Sequence, residues 1–241
     1  MNRVISIANF KGGVGKTTST VNIGVGLSLE GKRVLLIDLD PQFNLTQSLG
    51  LFETDKPIYG ALRGEYSLEP IEFTETLHLI SSSLDLIKAE IELSSEFKRE
   101  DILSRLITPV KSQYDYILID CPPSLGLLTI NAFIASDEIY VPIEAEFLAL
   151  KGYAILSEAI GRIGLSIDHV FITKYDGRKV LNRNVLDTIR HSLGEIAFNT
   201  VIRENIALAE APTQGLDIFR YAPKSVGADD YRQLVQEIIG N

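Results

Sequence analysis

The residues best placed to do chemistry lie near the start of the chain, where Asn9-Phe10-Lys11-Gly12-Gly13-Val14-Gly15-Lys16-Thr17-Thr18 follows an apolar run and precedes a helical pattern. Closely spaced glycines let backbone N–H groups turn inward toward phosphate oxygens, and the helix N-terminus adds the positive end of its dipole. Lys16 can reach the β- and γ-phosphates and the Thr17 hydroxyl can hold Mg²⁺, so Lys11, Gly12, Gly13, Val14, Gly15, Lys16, Thr17 and Thr18 form a candidate nucleotide-phosphate cradle. A turn built only for packing would explain Gly12 and Gly13. It would not explain Gly15-Lys16-Thr17-Thr18 opening a helix.

Two acidic stretches complete the constellation. Leu35-Leu36-Ile37-Asp38-Leu39-Asp40-Pro41-Gln42 places two carboxylates at alternate positions at the end of a strand, so their side chains share a face. That end is where open α/β sheets bind ligands. Tyr116-Ile117-Leu118-Ile119-Asp120 is an apolar strand ending in an acid, the layout in which Asp120 holds Mg²⁺ through water. An acid at a strand end is ordinarily a solvated cap, and only the joint occurrence with the cradle gives these three aspartates a function. Cys121 reads as a small buried residue, and His78, His169 and His191 lack metal-ligand spacing.

The elements that must position these groups alternate along the chain. Short apolar runs at Val4–Ala8, Arg33–Asp38, Leu77–Ser81, Tyr116–Asp120, Glu138–Pro142 and His169–Thr173 are mostly too continuous for half-exposed strands and read as buried parallel ones. Helix-length segments Thr17–Glu30, Glu96–Lys111, Lys151–Ile163, Leu181–Ser192 and Ser225–Ile239 lie between and after them. The expected fold is α/β: a mostly parallel twisted sheet of seven or eight strands with helices on both faces, in a single domain over residues 1–241. Lys56–Thr76 has no clear periodicity.

Composition narrows the partners. The net charge of −9 argues against a chain coated in nucleic-acid-binding charge. Residues 1–150 hold 12 basic and 21 acidic side chains while residues 151–241 hold 11 of each, so a DNA contact is expected only as a local patch in the second part. Lys174, Arg178, Lys179, Arg183 and Arg190 against Asp176 and Asp187 supply one, with a solvated helix face as the alternative. One cysteine excludes an intrachain disulfide. No apolar stretch approaches the roughly 20 residues of a membrane span, and no signal-peptide layout opens the chain. A cytoplasmic protein without membrane attachment is expected.

The arrangement Lys11-Gly12-Gly13-Val14-Gly15-Lys16-Thr17, with Phe10 where an ordinary P-loop has glycine, resembles the deviant Walker A of the ParA/MinD group. Asp120-Cys121-Pro122-Pro123-Ser124-Leu125-Gly126 and Glu210-Ala211-Pro212-Thr213-Gln214-Gly215 resemble ParA/Soj in particular, in its short form without an N-terminal helix-turn-helix. The resemblance implies a P-loop ATPase in which Lys11 crosses to the nucleotide of a partner subunit and Asp40 orients the attacking water. It places Asp38 nearer the Mg²⁺ shell. It further implies a homodimer formed with ATP, nonspecific DNA binding through the basic patch, association with the nucleoid in the ATP state, and a stimulating ParB-like centromere-binding partner. A ParA-like ATPase that positions a protein assembly is the alternative. A metabolite kinase would share Lys16, Thr17 and Asp120 but has no use for Lys11. MinD-like proteins end in an amphipathic membrane helix that Asp229–Val235 does not match, and the nitrogenase iron protein needs more cysteines than Cys121. Where many relatives read Val-Ile-Pro-Arg-Asn, this chain has Val201-Ile202-Arg203-Glu204-Asn205, at positions that in relatives shape the adenine pocket and the DNA surface.

Overall fold

Apolar runs buried on both sides become the centre of one sheet in the computed structural model, which describes residues 2–52 and 54–241. In chain order the elements are β1 (Arg3–Ile7), α1 (Lys16–Leu29), β2 (Val34–Asp38), α2 (Asn44–Ser48), α3 (Ile58–Leu62), β3 (Ile71–Glu72), β4 (Leu77–Ile80) and α4 (Leu86–Glu92). They continue with α5 (Ile102–Lys111), β5 (Tyr116–Asp120), α6 (Leu127–Ala135), β6 (Glu138–Glu144), α7 (Ala149–Gly161), β7 (His169–Tyr175) and α8 (Val180–Leu193). The chain closes with β8 (Ala197–Arg203), α9 (Ile206–Glu210), a 3-10 turn (Ala211–Gln214), α10 (Ile218–Tyr221) and α11 (Val226–Gly240).

Eight strands lie in the order β3-β4-β2-β5-β1-β6-β7-β8. All neighbours are parallel except the short edge pair β3 and β4. Side-chain alternation divides the core into two layers. Val4, Leu35, Ile37, Ile117 and Ile119 face helices α3 to α8, whereas Ile5, Ile7, Leu36 and Leu118 face α1, α2, α10 and α11. Leu36 is fully buried, and cutting such a side chain to alanine costs about 2–5 kcal/mol.

The α/β sheet expected from the sequence is present, and its six foreseen strands are β1, β2, β4, β5, β6 and β7. Other expectations are corrected. The helix expected over Glu96–Lys111 begins only at Ile102, because Lys98 takes a left-handed backbone conformation and Arg99–Asp101 forms a 3-10 turn. The unassigned stretch Lys56–Thr76 contains α3 and β3.

Register decides where the chemistry falls. Asp120 on β5 pairs with Asp38 on β2 and with Ile7 on β1, so three adjacent strands end side by side. The glycine-rich loop leaves β1 at that edge.

Candidate nucleotide site

The loop from Asn9 to Gly15 is shaped by backbone geometry and braced from two strands. Gly13 and Gly15 have φ of 74° and 90°, a region that L side chains rarely enter. No atom lies within 4 Å of where a Cβ on Gly12 or Gly13 would stand, so the loop has room for a ligand there. The Asn9 side chain donates to the Pro142 carbonyl at 2.8 Å and accepts from the Lys11 amide at 3.0 Å. From β7, the Thr173 hydroxyl donates to the Val14 carbonyl at 2.8 Å. No side chain caps the start of α1, which leaves its first amides free for an anion.

Lys16 is 7% exposed and its ammonium donates to the Lys11 carbonyl at 3.3 Å. Burial lowers its pKa, against the opposing pull of Asp120 and Asp40. The Thr17 hydroxyl donates to Asp120 at 2.7 Å. Asp120 is fully buried, and burial together with the charge of Asp38 holds its pKa well above the usual carboxylate range. Lys16 faces the carboxylates of Asp120 and Asp40, and hydroxyl and carboxylate oxygens are the hard ligands Mg²⁺ prefers. Among the described residues, no three His, Cys, Asp or Glu side chains converge on a point.

The two aspartates of β2 separate in role. Asp38, expected near the metal shell, turns its oxygens onto the Thr46 amide at 2.9 Å, the Thr46 hydroxyl at 2.7 Å and the Asp40 amide at 3.2 Å. Complete burial pushes its pKa up to about 7. It therefore anchors α2. Asp40 accepts from the Gln42 amide at 2.9 Å and lines a cavity of about 600 Å³ together with Gly12, Lys16 and Thr17. Gln47, Ser48 and Thr213 line the same cavity, and nothing in their local sequence marks them as site residues.

A second cavity of about 550 Å³ adjoins the cradle through Gly15 and Thr18 and is walled by Leu181, Asn182, Ile202, Ile206 and Tyr231. The two residues that depart from the relatives' pattern stand on its rim. Arg203 donates through its amide to Asp230 at 2.8 Å and through its guanidinium at 2.5 to 3.0 Å, and Glu204 pairs with Lys179 at 3.1 Å. Lys11, the residue expected to cross to a partner, is held within its own chain. Its ammonium lies 2.9 Å from Glu144 and 2.6 Å from Glu146.

Comparison with known proteins settles the family. A family model described as an AAA domain matches residues 2–173. The chain is 40% identical to the chromosome-partitioning ATPase Soj of Treponema pallidum over 248 residues, covering 99% of this chain and 98% of that protein. It is 41% identical to the sporulation initiation inhibitor protein Soj of Bacillus subtilis, with both chains fully covered. The chain belongs to the ParA/Soj family of ATPases. Among solved structures, cobyrinic acid a,c-diamide synthase from Mycobacterium smegmatis with bound ADP and magnesium superposes with a TM-score of 0.85 at 31% identity, over 99% of this chain and 94% of that one. The chain is accordingly an ATPase whose cofactors are ATP and Mg²⁺.

In this ParA/Soj chain four of the five patch residues gather around the turn from β7 into α8, while Arg190, near the end of α8, donates to the Asn199 carbonyl at 2.7 Å. Lys174 lies 3.8 Å from Glu144, Arg178 is 2.9 Å from Asp176, and Lys179 is 3.8 Å from Asp176 besides its contact with Glu204. Arg183 donates to the carbonyls of Gly177 and Arg178. Arg178 is 91% exposed but Asp176 only 10%, and the two are joined by a bidentate contact that holds the Asp176 carboxyl well below the usual carboxylate range. No helix among the described residues is long and apolar enough to cross a membrane.

Proposed function

We propose that this ParA/Soj ATPase is a switch acting in the cytoplasm as a single domain over residues 1–241. ATP and Mg²⁺ join two copies across their nucleotide faces, and the dimer binds nonspecific DNA at the nucleoid. A ParB-like centromere-binding protein stimulates a slow hydrolysis and returns the dimer to monomers, driving plasmid or chromosome partition. The observation that carries this proposal is where the exposed apolar residues stand. Leu125, Phe147, Leu148, Val180, Leu181 and Ile206 are all at least 40% exposed, and each follows the C-terminal end of β5, β6, β7 or β8. Leu181 and Ile206 also wall the cavity beside the cradle, and a second copy would cover the rest of this surface around the ligand site.

Each residue then has a physical task. Lys16 and the open amides of the cradle neutralise and hold the phosphates. Thr17 and Asp120 are the oxygens positioned for Mg²⁺, with Asp38 supporting them from behind by fixing α2; the ion, when bound, supplies charge neutralisation at the phosphate oxygens. Asp40, beside the same cavity, orients the attacking water and favours removal of its proton as ADP and phosphate form. Lys11 leaves Glu144 and Glu146 and reaches the partner's nucleotide, where it stabilises the charge that develops in transfer. Lys174, Arg178, Lys179 and Arg183 exchange their contacts within the chain for DNA phosphates, and dimerisation presents two such patches at once.

Lys11→Ala tests the proposal. The variant should bind ATP through Lys16 and the backbone cradle, yet show a monomer mass by light scattering in ATP where the wild type dimerises. A normal dimer with normal stimulated turnover would sink the crossing-lysine switch.

A further inference from the structure

We infer that the turn Ala211–Gly215 is a positioning element for the hydrolytic step, acting on Asp40 through a backbone contact between Gly215 and Gly50. The inference rests on the proposed role of Asp40 and adds a control that neither residue's local sequence discloses. Besides the cradle, Pro123 and Lys174, two segments wall the phosphate cavity. One is the chain after β2, with Asp40, Gln42, Asn44, Gln47 and Ser48, and the other is the 3-10 turn, with Pro212 and Thr213. The two walls meet at a glycine seam. Gly50 follows α2 with φ 80°, and Gly215 ends the turn with φ 65°.

The seam is asymmetric. A Cβ on Gly215 would stand 2.8 Å from the Gly50 Cα and 3.2 Å from its nitrogen, backbone atoms that cannot swing aside. A Cβ on Gly50 would stand 3.6 Å from the Gly215 carbonyl, an ordinary contact. Only Gly215 must lack a side chain for the walls to approach this closely.

Both walls are tied to the chemistry. Thr46 on α2 binds Asp38 through its amide and hydroxyl, and the Ser82 hydroxyl donates to the Asp40 carbonyl at 2.8 Å while its amide donates to Thr46 at 3.1 Å. The segment after Gly215 is pinned to the cradle helix by Asn22, whose side chain accepts from the Ile218 amide at 2.9 Å and donates to the Thr18 carbonyl at 2.7 Å. The chain from Ala211 to Ile218 thus bridges α1 and α2 and braces the cavity wall that follows Asp40, whose strand is itself placed by register. Restoring ordinary contact at a Gly215 side chain would open the seam by most of an ångström, and a misplacement of about 1 Å can cost on the order of 10²-fold in rate.

The test is Gly215→Ala in the full chain, with Gly164→Ala as control for backbone strain alone. Gly164 has φ 80° and nothing within 4 Å of a Cβ. Gly215→Ala should lower kcat by about 10- to 100-fold while KM for ATP and affinity for a non-hydrolysable analogue stay within about twofold. Gly164→Ala, which carries the strain without the clash, should lose less thermal stability and leave kcat unchanged. A Gly215→Ala kcat within about threefold of wild type, an equal loss in Gly164→Ala, or a parallel loss of nucleotide affinity overturns the inference. Should Gly215→Ala fail to fold, Asn22→Ala cuts the other tether and should show the same split of kcat from KM; an unchanged kcat overturns it equally. Asp40→Ala separates the two levels. If it hydrolyses ATP normally, the role of Asp40 fails and the positioning inference with it; if it is inactive while Gly215→Ala is normal, only the seam is wrong.

Discussion

Lys11 cannot reach a partner's nucleotide while Glu144 and Glu146 of its own chain hold it, so those two carboxylates should restrain dimerisation. The perturbation is Glu144→Gln with Glu146→Gln, which keeps size and hydrogen-bonding capacity and removes the charge. The lysine side chain is 46% exposed and the glutamates 26% and 42% exposed, at 2.9 and 2.6 Å. Pairs this exposed contribute about 0.2–1 kcal/mol each. Two contacts in each of two subunits then oppose association by about 1–4 kcal/mol, and about 2 kcal/mol corresponds to roughly 30-fold in the dimerisation constant. Sedimentation across a protein concentration series, in a non-hydrolysable ATP analogue, reads that constant directly. The double variant should dimerise roughly 30-fold more tightly than wild type. If it dimerises equally or more weakly while Lys11→Ala fails to dimerise, the glutamates aim the lysine rather than restrain it.

Three further outcomes are expected. Asp40→Ala should bind ATP with wild-type affinity by calorimetry and accumulate the dimer, since the cavity keeps Lys16 and the cradle; hydrolysis at the normal rate would remove Asp40 from the mechanism. Arg178→Glu with Arg183→Glu should weaken ATP-dependent binding to sequence-unrelated duplex at least tenfold at low salt, consistent with loss of phosphate contacts, and leave dimer mass unchanged; equal DNA retention in a gel-shift series would make the patch a solvated face. His169 stacks on Phe198 at 4.5 Å, and burial lowers its pKa despite nearby Glu138 and Asp168. The unfolded chain therefore binds the extra proton first, so stability is lost as pH falls below about 6.5, and His169→Phe should reduce the drop in thermal midpoint between pH 7.5 and 5.5.

What could be read from sequence follows from how far each contact reaches along the chain. The cradle is local: turn, lysine, hydroxyl and helix start fall within Asn9–Thr18, and their spacing states their chemistry. Strands β1, β2, β5, β6 and β7 are covered on both faces, so they appear as uninterrupted apolar runs. At the edges that signal fades: β8 alternates buried Phe198 and Ile202 with exposed Asn199 and Arg203, and β3 has two residues. Alternation placed Asp38 and Asp40 on one face, but β2 ends at Asp38 and the chain bends so that the Asp40 amide donates back to it. The parity rule stops where the strand does, and the two carboxylates part. Charge counting marks the patch from Lys174 to Arg190, yet part of its neutralisation comes from Glu144 on β6 and Glu204 just after β8, outside that segment. The Glu210–Gly215 block was visible only as a resemblance, since its function in the fold lies in Gly50, Asn22 and a cavity wall contributed from the other end of the chain. Local pattern thus specifies the cradle, while long-range register decides which carboxylate lines the cavity beside it and which turns onto α2.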